Sequence, residues 1–246
     1  MSSIPVVAAG DPHGAYAPIL DFCRRQERSG ILVLLGDQDL EEPLSDVLEP
    51  LYADLWSVFW LLGNHDCSLD RHYDNLVGSL GQHPDGHLGG RCIEAGGLRV
   101  TGLSGIFKGK VWYPREGIEP PRYSTRADYM RQVRPPERWR SATTGPELVE
   151  LRGMPLRMRD AIFPEDLERV ATAGPCDVVV SHEAPSCHRH GFRALDLLAD
   201  QVGCRLWLHG HHHRSYEDRL TLPSGREMRV IGLGVGECRR IDGEVA

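Results

Sequence analysis

The sequence predicts an α/β fold built around a parallel sheet, and three observations carry that prediction. Short, mainly apolar runs recur at residues 4–9, 31–35, 58–62, 177–181 and 206–209. Stretches with helical spacing separate several of these runs. A group of Asp, Asn or His residues follows each run directly. Strands that are apolar on both faces and separated by helices belong in a parallel sheet covered on both sides.

Residues 4–9 read as the first strand. Tyr16, Ile19, Leu20 and Cys23 then fall at helical spacing, with Pro18 tolerable in a first turn. Residues 31–35 and 58–62 form the second and third strands, and residues 44–55 between them read as a helix. Gly96-Gly97 sits between two strand-like runs and predicts a hairpin. A helix at 192–202 separates the short buried strands 177–181 and 206–209. The remainder, 216–240, reads as antiparallel strands joined by a Pro223-Ser224-Gly225 turn.

The 246 residues suit a single domain, 1–246, able to bury a core without covalent staples. Composition is that of a globular protein, 41% hydrophobic and 26% charged, which excludes a disordered or fibrous chain. A net charge of −7 argues against a protein that coats nucleic acid, while leaving room for a local basic groove. The opening MSSIPVVAAG lacks the basic flank and long apolar core of a signal peptide, and no apolar stretch reaches membrane-spanning length. Seven scattered cysteines, none in a C-x-x-C pair, read as reduced thiols, and the expected compartment is the cytoplasm.

One segment departs from the acidic whole. Between about 104 and 140 lie Lys108, Lys110, Arg115, Arg122, Arg126, Arg131, Arg134, Arg138 and Arg140, against only Glu116, Glu119, Asp128 and Glu137. It reads as a basic surface insertion. Lys108, Arg122 and Arg126 are its candidate substrate-binding residues, and Trp112, Tyr113 and Tyr123 offer faces on which bases could stack. A solvated loop paired with the acidic body explains the same composition.

The polar groups carry the chemistry. Asp11 and His13 follow the first run, Asp37 the second, and Asn64, His65 and Asp66 the third; His182 ends the fourth and His211 and His213 follow the fifth. In a parallel sheet such loops gather at the carboxyl edge, where open α/β folds bind ligands. Oxygen and imidazole donors without a thiolate suit Mn, Fe or Zn in a working site more than a structural zinc. An Asp carboxylate can bridge two such ions, and the pair can acidify a water and clamp a phosphoryl group in displacement. Taken singly, any of these residues is more often a surface or satisfied core group; five groups after five strands are not.

These blocks, D-x-H, G-D, G-N-H-D, H and G-H-x-H, resemble those of the calcineurin-like metallophosphoesterases across nearly the whole chain. The resemblance implies a four-layer α/β/β/α sandwich and two divalent ions, with Mn favoured and Fe or Zn as alternatives. It implies one ion on Asp11, His13, Asp37 and His213, and another on Asp37, Asn64, His182 and His211. It gives His65 the role of general acid toward the leaving oxygen, while Asp66 is expected to support a ligand or His65. The protein-phosphatase branch ends its second block in an Asp-Arg pair; here Leu40 and Glu41 stand in that place. LRVTGLSGIFKG, the P-P-R-Y-S-T-R segment and SHEAP look more like the RNA lariat debranching enzymes. This chain keeps Asp11 where those enzymes commonly carry Cys, and shows no counterpart of the carboxyl-terminal domain of their eukaryotic members.

The expected function is hydrolysis of phosphodiester bonds in a nucleotide or nucleic acid by metal-bound hydroxide attack. A phosphomonoesterase or nucleotide pyrophosphatase is the alternative within the enzymes; a metal-free scaffold or a nucleic-acid-binding module is the alternative outside them. His212, at the variable place of G-H-x-H, is expected to be exposed and His209 structural, and Asp39 reads as a loop carboxylate able to orient a ligand. His72, His83, His87, His188 and His190 have no spacing partner.

Overall fold

A computed structural model of the chain describes residues 4–136, 148–241 and 243. Glu137, Arg138 and Arg140, which close the basic segment, lie outside the described residues. The first three strands form where the apolar runs place them: β1 (Val6–Ala9), β2 (Ile31–Leu34) and β3 (Ser57–Trp60). They pair in parallel, with Val6 beside Ile31 and Ile31 beside Ser57. Helix α1 (Ala17–Arg24) links the first two and holds Pro18 in its first turn.

The helix expected over 44–55 is two short ones, α2 (Leu44–Val47) and α3 (Glu49–Ala53). Pro50 explains the break, because it has no N–H to donate and its ring crowds the carbonyl four residues earlier. After α4 (Asp70–Val77), the Gly96-Gly97 turn joins β4 (Cys92–Ala95) to β5 (Leu98–Leu103). Both glycines have positive φ, 58° and 84°, as a two-residue hairpin turn requires. The remaining elements are α5 (Arg126–Val133), α6 (Pro164–Thr172), β6 (Val178–Ser181), α7 (Arg193–Val202), β7 (Leu206–His209), β8 (Tyr216–Thr221), β9 (Glu227–Gly232) and β10 (Cys238–Arg240).

The apolar runs that read as a parallel sheet are divided between two mixed sheets, ordered β10-β1-β2-β3 and β4-β5-β6-β7-β9-β8, in agreement with the two sheets of the expected sandwich. The terminal strands divide between them. β8 and β9 form an antiparallel pair and β9 also runs parallel to β7, whereas β10 pairs antiparallel with β1. Alternation along each strand separates the apolar residues into distinct clusters. Val6 and Ala8 meet Val178, Val180, Leu206 and Leu208 in one cluster shared by both sheets. Val7, Ala9, Leu32 and Leu34 join Ile19 of α1 and Leu51 of α3. Val179, Trp207 and Val230 join Val170 of α6 with Leu195 and Leu198 of α7. Both faces of the central strands are therefore buried, which is why their sequence is continuously apolar.

Parts of the basic segment pack into the fold, while Lys110, Arg122 and Arg131 are exposed. Val111 and Tyr129 are buried in the cluster on the outer face of the first sheet. Arg126 is 8% exposed and donates to both carboxylate oxygens of Asp166, at 2.7 and 2.9 Å, and to Glu165 at 2.9 Å. Local charge counting missed these partners because they lie about forty residues away in sequence. Among the described residues, no helix is long and apolar enough to cross a membrane.

Candidate metal centre

The loops leaving β1, β2, β3, β6 and β7 bring Asp11, His13, Asp37, Asn64, His182, His211 and His213 to one edge of the two sheets. Eight described residues other than glycine have positive φ, and five of them are Asp11, His13, Asp37, His211 and His213. Such backbone is costly for a residue with a Cβ, and it gathers where a site over-determines it. The adjoining glycines answer to the same crowding. A Cβ on Gly63 would lie 2.2 Å from Asp37 Oδ1, and one on Gly210 would lie 2.2 Å from Asp11 Oδ1. Only hydrogen fits at either place.

Two groups of potential ligand atoms result, His13–Asp37–His65 and Asp37–His182–His211, each with its atoms within 4.8 Å of one another. Asp37 is common to both. Asn64 Oδ1 lies 3.2 Å from His182 Nε2, and Asp37 Oδ2 lies 3.4 Å from the same nitrogen. In His182 and His13 one ring nitrogen is already committed. His182 Nδ1 sits 2.9 Å from the Leu35 carbonyl, which can only accept, so Nδ1 donates and Nε2 is left facing Asp37 and Asn64. His13 Nδ1 lies 2.7 Å from Asp39 Oδ2, which leaves its Nε2 facing His213 Nε2 at 2.9 Å. A ring fixed by donation to a carbonyl or carboxylate, with its other nitrogen aimed at a shared centre, is how metal-ligating histidines are held.

Charge gives a further test of fit. Asp11 is fully buried and neither of its carboxylate oxygens has a hydrogen-bond partner; His182 Nδ1 and His213 Nε2 stand off at 3.6 and 3.8 Å. A buried, unpaired carboxylate costs several kcal/mol unless a cation compensates it. Burial pushes the Asp11 pKa up. Burial also opposes a charged His182, yet Asp37 and Asp11 outweigh it and push that imidazole up to about 10. In return Asp37, despite burial, is held well below the usual carboxylate range by His182. Burial and the His182 charge push His211 down to about 3, leaving a neutral imidazole able to bind a metal. The donor set and its surplus of negative charge fit divalent cations.

His65 stands at the open side with its side chain 46% exposed, and its Nδ1 lies 3.1 Å from Asp39 Oδ2. The same Asp39 oxygen serves His13, and Asp39 Oδ1 lies 3.4 Å from His72 Nδ1. Asp39, which the sequence offered as a carboxylate able to orient a ligand, has a positive φ of 47° and lies against His13, His65 and His72. Asp66 is fully buried and accepts the backbone N–H groups of Asp37, Gln38 and Gly63 at 3.0, 2.7 and 2.7 Å. Burial and the Asp37 charge push its pKa up against those amide donors. Its carboxylate locks two ligand loops together and does not face the cleft.

A model of the calcineurin-like phosphoesterases matches residues 4–215, which include every residue of the centre. The chain belongs to that family. An uncharacterized protein of Haemophilus influenzae is 35% identical over 221 residues, covering 89% of this chain and 87% of that protein. A phosphoesterase of this family acts on phosphoester bonds and typically holds two divalent metals.

In this phosphoesterase the expected substrate-binding residues take different positions. Lys108 Nζ donates to Asp160 and to the Arg157 carbonyl, both at 2.6 Å, and Arg126 is enclosed by Asp166 and Glu165. Arg122 is exposed. His209 is fully buried and bonds Tyr216, while His212 is half-buried, its ring stacked 3.9 Å from that of His188.

Proposed function

We propose that the chain is a cytoplasmic phosphodiesterase with a two-metal centre, Mn favoured over Fe or Zn, acting on a nucleotide or nucleic acid within a four-layer α/β/β/α sandwich. The shared carboxylate of Asp37 supports the pairing of two ions. Asp11, His13 and His213 would complete one set of ligands, and Asn64, His182 and His211 the other. When bound, two such ions supply Lewis acidity to the phosphoryl oxygens and an acidified water as nucleophile.

The protein's own part is positioning and proton transfer. Asp39 accepts from His65 Nδ1, which fixes the ring and leaves Nε2 toward the open side, where it can give a proton to the leaving oxygen. Asp66 holds the Asp37 and Gly63 loops in register through their amides. Among the described residues, the hydrogen bonds and ion pairs within the ligand cluster join His, Asp, Asn or backbone, with no Arg or Lys among them. A diester brings one negative charge fewer than a monoester dianion and so asks less of protein cations beside the metal ligands, which favours the diester. The likeness of SGIFKG and SHEAP to lariat debranching enzymes supports the same choice. Seven free cysteines support the cytoplasm.

The decisive assay compares bis-p-nitrophenyl phosphate with p-nitrophenyl phosphate, each with added Mn²⁺. A higher kcat/KM on the diester is expected; preference for the monoester would overturn the diesterase assignment while leaving the family intact.

A further inference from the structure

The loops that carry His182 and His211 continue past the metal centre into a second group of side chains. Ring contacts connect the two places: His211 and His212 are 4.8 Å apart between centroids, and His212 stacks on His188 at 3.9 Å. His190 follows 5.7 Å from His188. Beside His188 lies a cavity of about 220 Å³ lined by Cys187, His188, Arg189, Arg214, Tyr216 and Asp218. It has room for a group several times the size of a water molecule, whose share of liquid volume is about 30 Å³.

One wall is fixed by internal bonds. The Gly210 carbonyl takes the Nδ1–H of His209, so His209 Nε2 accepts from the Tyr216 hydroxyl at 2.7 Å; Cys187 Sγ lies 3.9 Å from that hydroxyl. The loop opposite is tied down by Arg115, whose guanidinium donates to the Arg189 carbonyl at 2.7 Å. The guanidinium groups of Arg189 and Arg214 are exposed. Burial lowers the His188 pKa, and the neighbouring Arg189 and Arg214 charges act in the same direction. Asp218 is the one acid in the lining, and it accepts the backbone N–H of Arg219.

We propose that this cavity is a subsite for a second phosphate of the substrate, distinct from the scissile ester, bound by Arg189 and Arg214 with His188 beside them. The proposal rests on the hydrolase reading above. Guanidinium groups recognise phosphate through paired N–H donors, and an imidazole adds a donor or a stacking face. Two ring contacts separate the cavity from His211, so one substrate can reach both places. The two guanidiniums that line this cavity carry like charge, and an anion between them would offset their repulsion.

The test uses the Mn-loaded protein and dithymidylate carrying a terminal phosphate at its 5′ or 3′ end, against unphosphorylated dithymidylate. One phosphorylated form should be preferred by about tenfold or more in kcat/KM, and Arg189→Ala with Arg214→Ala should bring that ratio close to one. Arg71→Ala, which removes an exposed arginine paired with Glu41, should keep the ratio. No preference in the unmodified protein, or a preference that survives the double substitution, overturns the subsite. If neither dinucleotide is cleaved, the hydrolase reading has failed for this substrate, and calorimetry with inorganic pyrophosphate decides the subsite by itself. An affinity about tenfold weaker in the double variant supports it, and equal affinity overturns it. If free pyrophosphate accelerates cleavage of unphosphorylated dithymidylate, the cavity takes a separate anion and the substrate-phosphate assignment is overturned.

Discussion

On one side of Asp37, the His182 and Asp11 side chains have no exposure to solvent, and His182 is pinned by donation to Leu35. On the other side, His13 is 20% exposed, His65 and His213 are each 46% exposed, and two of these three lean on Asp39. The ligand types are nearly the same, but their surroundings differ. On the buried side, low dielectric fixes charge: protonation of His182 and ionisation of Asp37 depend on each other. On the open side, rings are steered by one carboxylate and remain within reach of a substrate. Substitutions on the buried side should therefore cost folding as well as metal, whereas those on the open side should cost metal or chemistry and leave the fold in place.

Asp37 belongs to both sides, so its loss should be the most severe. Asp37→Asn is expected to lower kcat/KM on the order of 10⁴-fold and to reduce bound metal below one ion per chain by elemental analysis. Two retained ions would remove the bridging role. His182→Ala should divide the comparison most sharply. It leaves Asp37 and Asp11 buried without their cationic neighbour, a loss of about 3–5 kcal/mol in urea unfolding of the metal-free protein. Unchanged metal-free stability would show that the buried side is no more integral to the fold than the open one.

His65→Ala should behave in the opposite way. Metal content and melting temperature should hold, while kcat falls about 10²- to 10⁴-fold on a poor alkoxide leaving group. On p-nitrophenolate, which leaves without a proton, the loss should be much smaller. Equal losses on both leaving groups would take the general-acid role away from His65. Asp39→Asn acts one step further out and should cost about 10- to 100-fold. Because Asp39 also holds His13, metal titration of that variant separates its two duties: weaker metal binding marks the His13 contact, and an altered leaving-group dependence marks the His65 contact.

Much of this was legible in the sequence, for identifiable reasons. Strands β1, β2, β6 and β7 are buried on both faces, so their apolar runs announce them, and each ligand follows directly on a strand end. Pairing between strands leaves no comparable local trace. Nothing in Cys238–Arg240 indicates that this strand crosses to β1 instead of remaining beside β9. Arg126 reads as a surface cation because Glu165 and Asp166 are distant in sequence, and the stack of His188 on His212 joins two loops that share no spacing rule. Asp39 was legible as a carboxylate able to orient a ligand, but the histidines it serves were not. His13 and His65 were each in view, yet their contacts with Asp39 join separate loops.

A last expected effect leaves activity untouched, lies away from the cluster and tests whether buried charge is costly elsewhere in the molecule. Asp160 is 1% exposed, its Oδ2 has no hydrogen-bond partner, and its Oδ1 meets Lys108 at 2.6 Å. Burial pushes its carboxyl up to about 6 against the pull of Lys108. In the folded protein Asp160 then keeps its proton to about pH 6, whereas an unfolded chain releases it near pH 4. The unfolded state loses its proton first, so stability should fall as pH rises from about 4 through about 6 and level off above, by roughly 3 kcal/mol in all. Asp160→Asn should remove that slope, and urea midpoints for both proteins at pH 4, 5, 6 and 7 would measure it. A constant gap between them would mean that Lys108 keeps Asp160 ionised throughout, and that burial alone does not decide the charge state away from the metal centre.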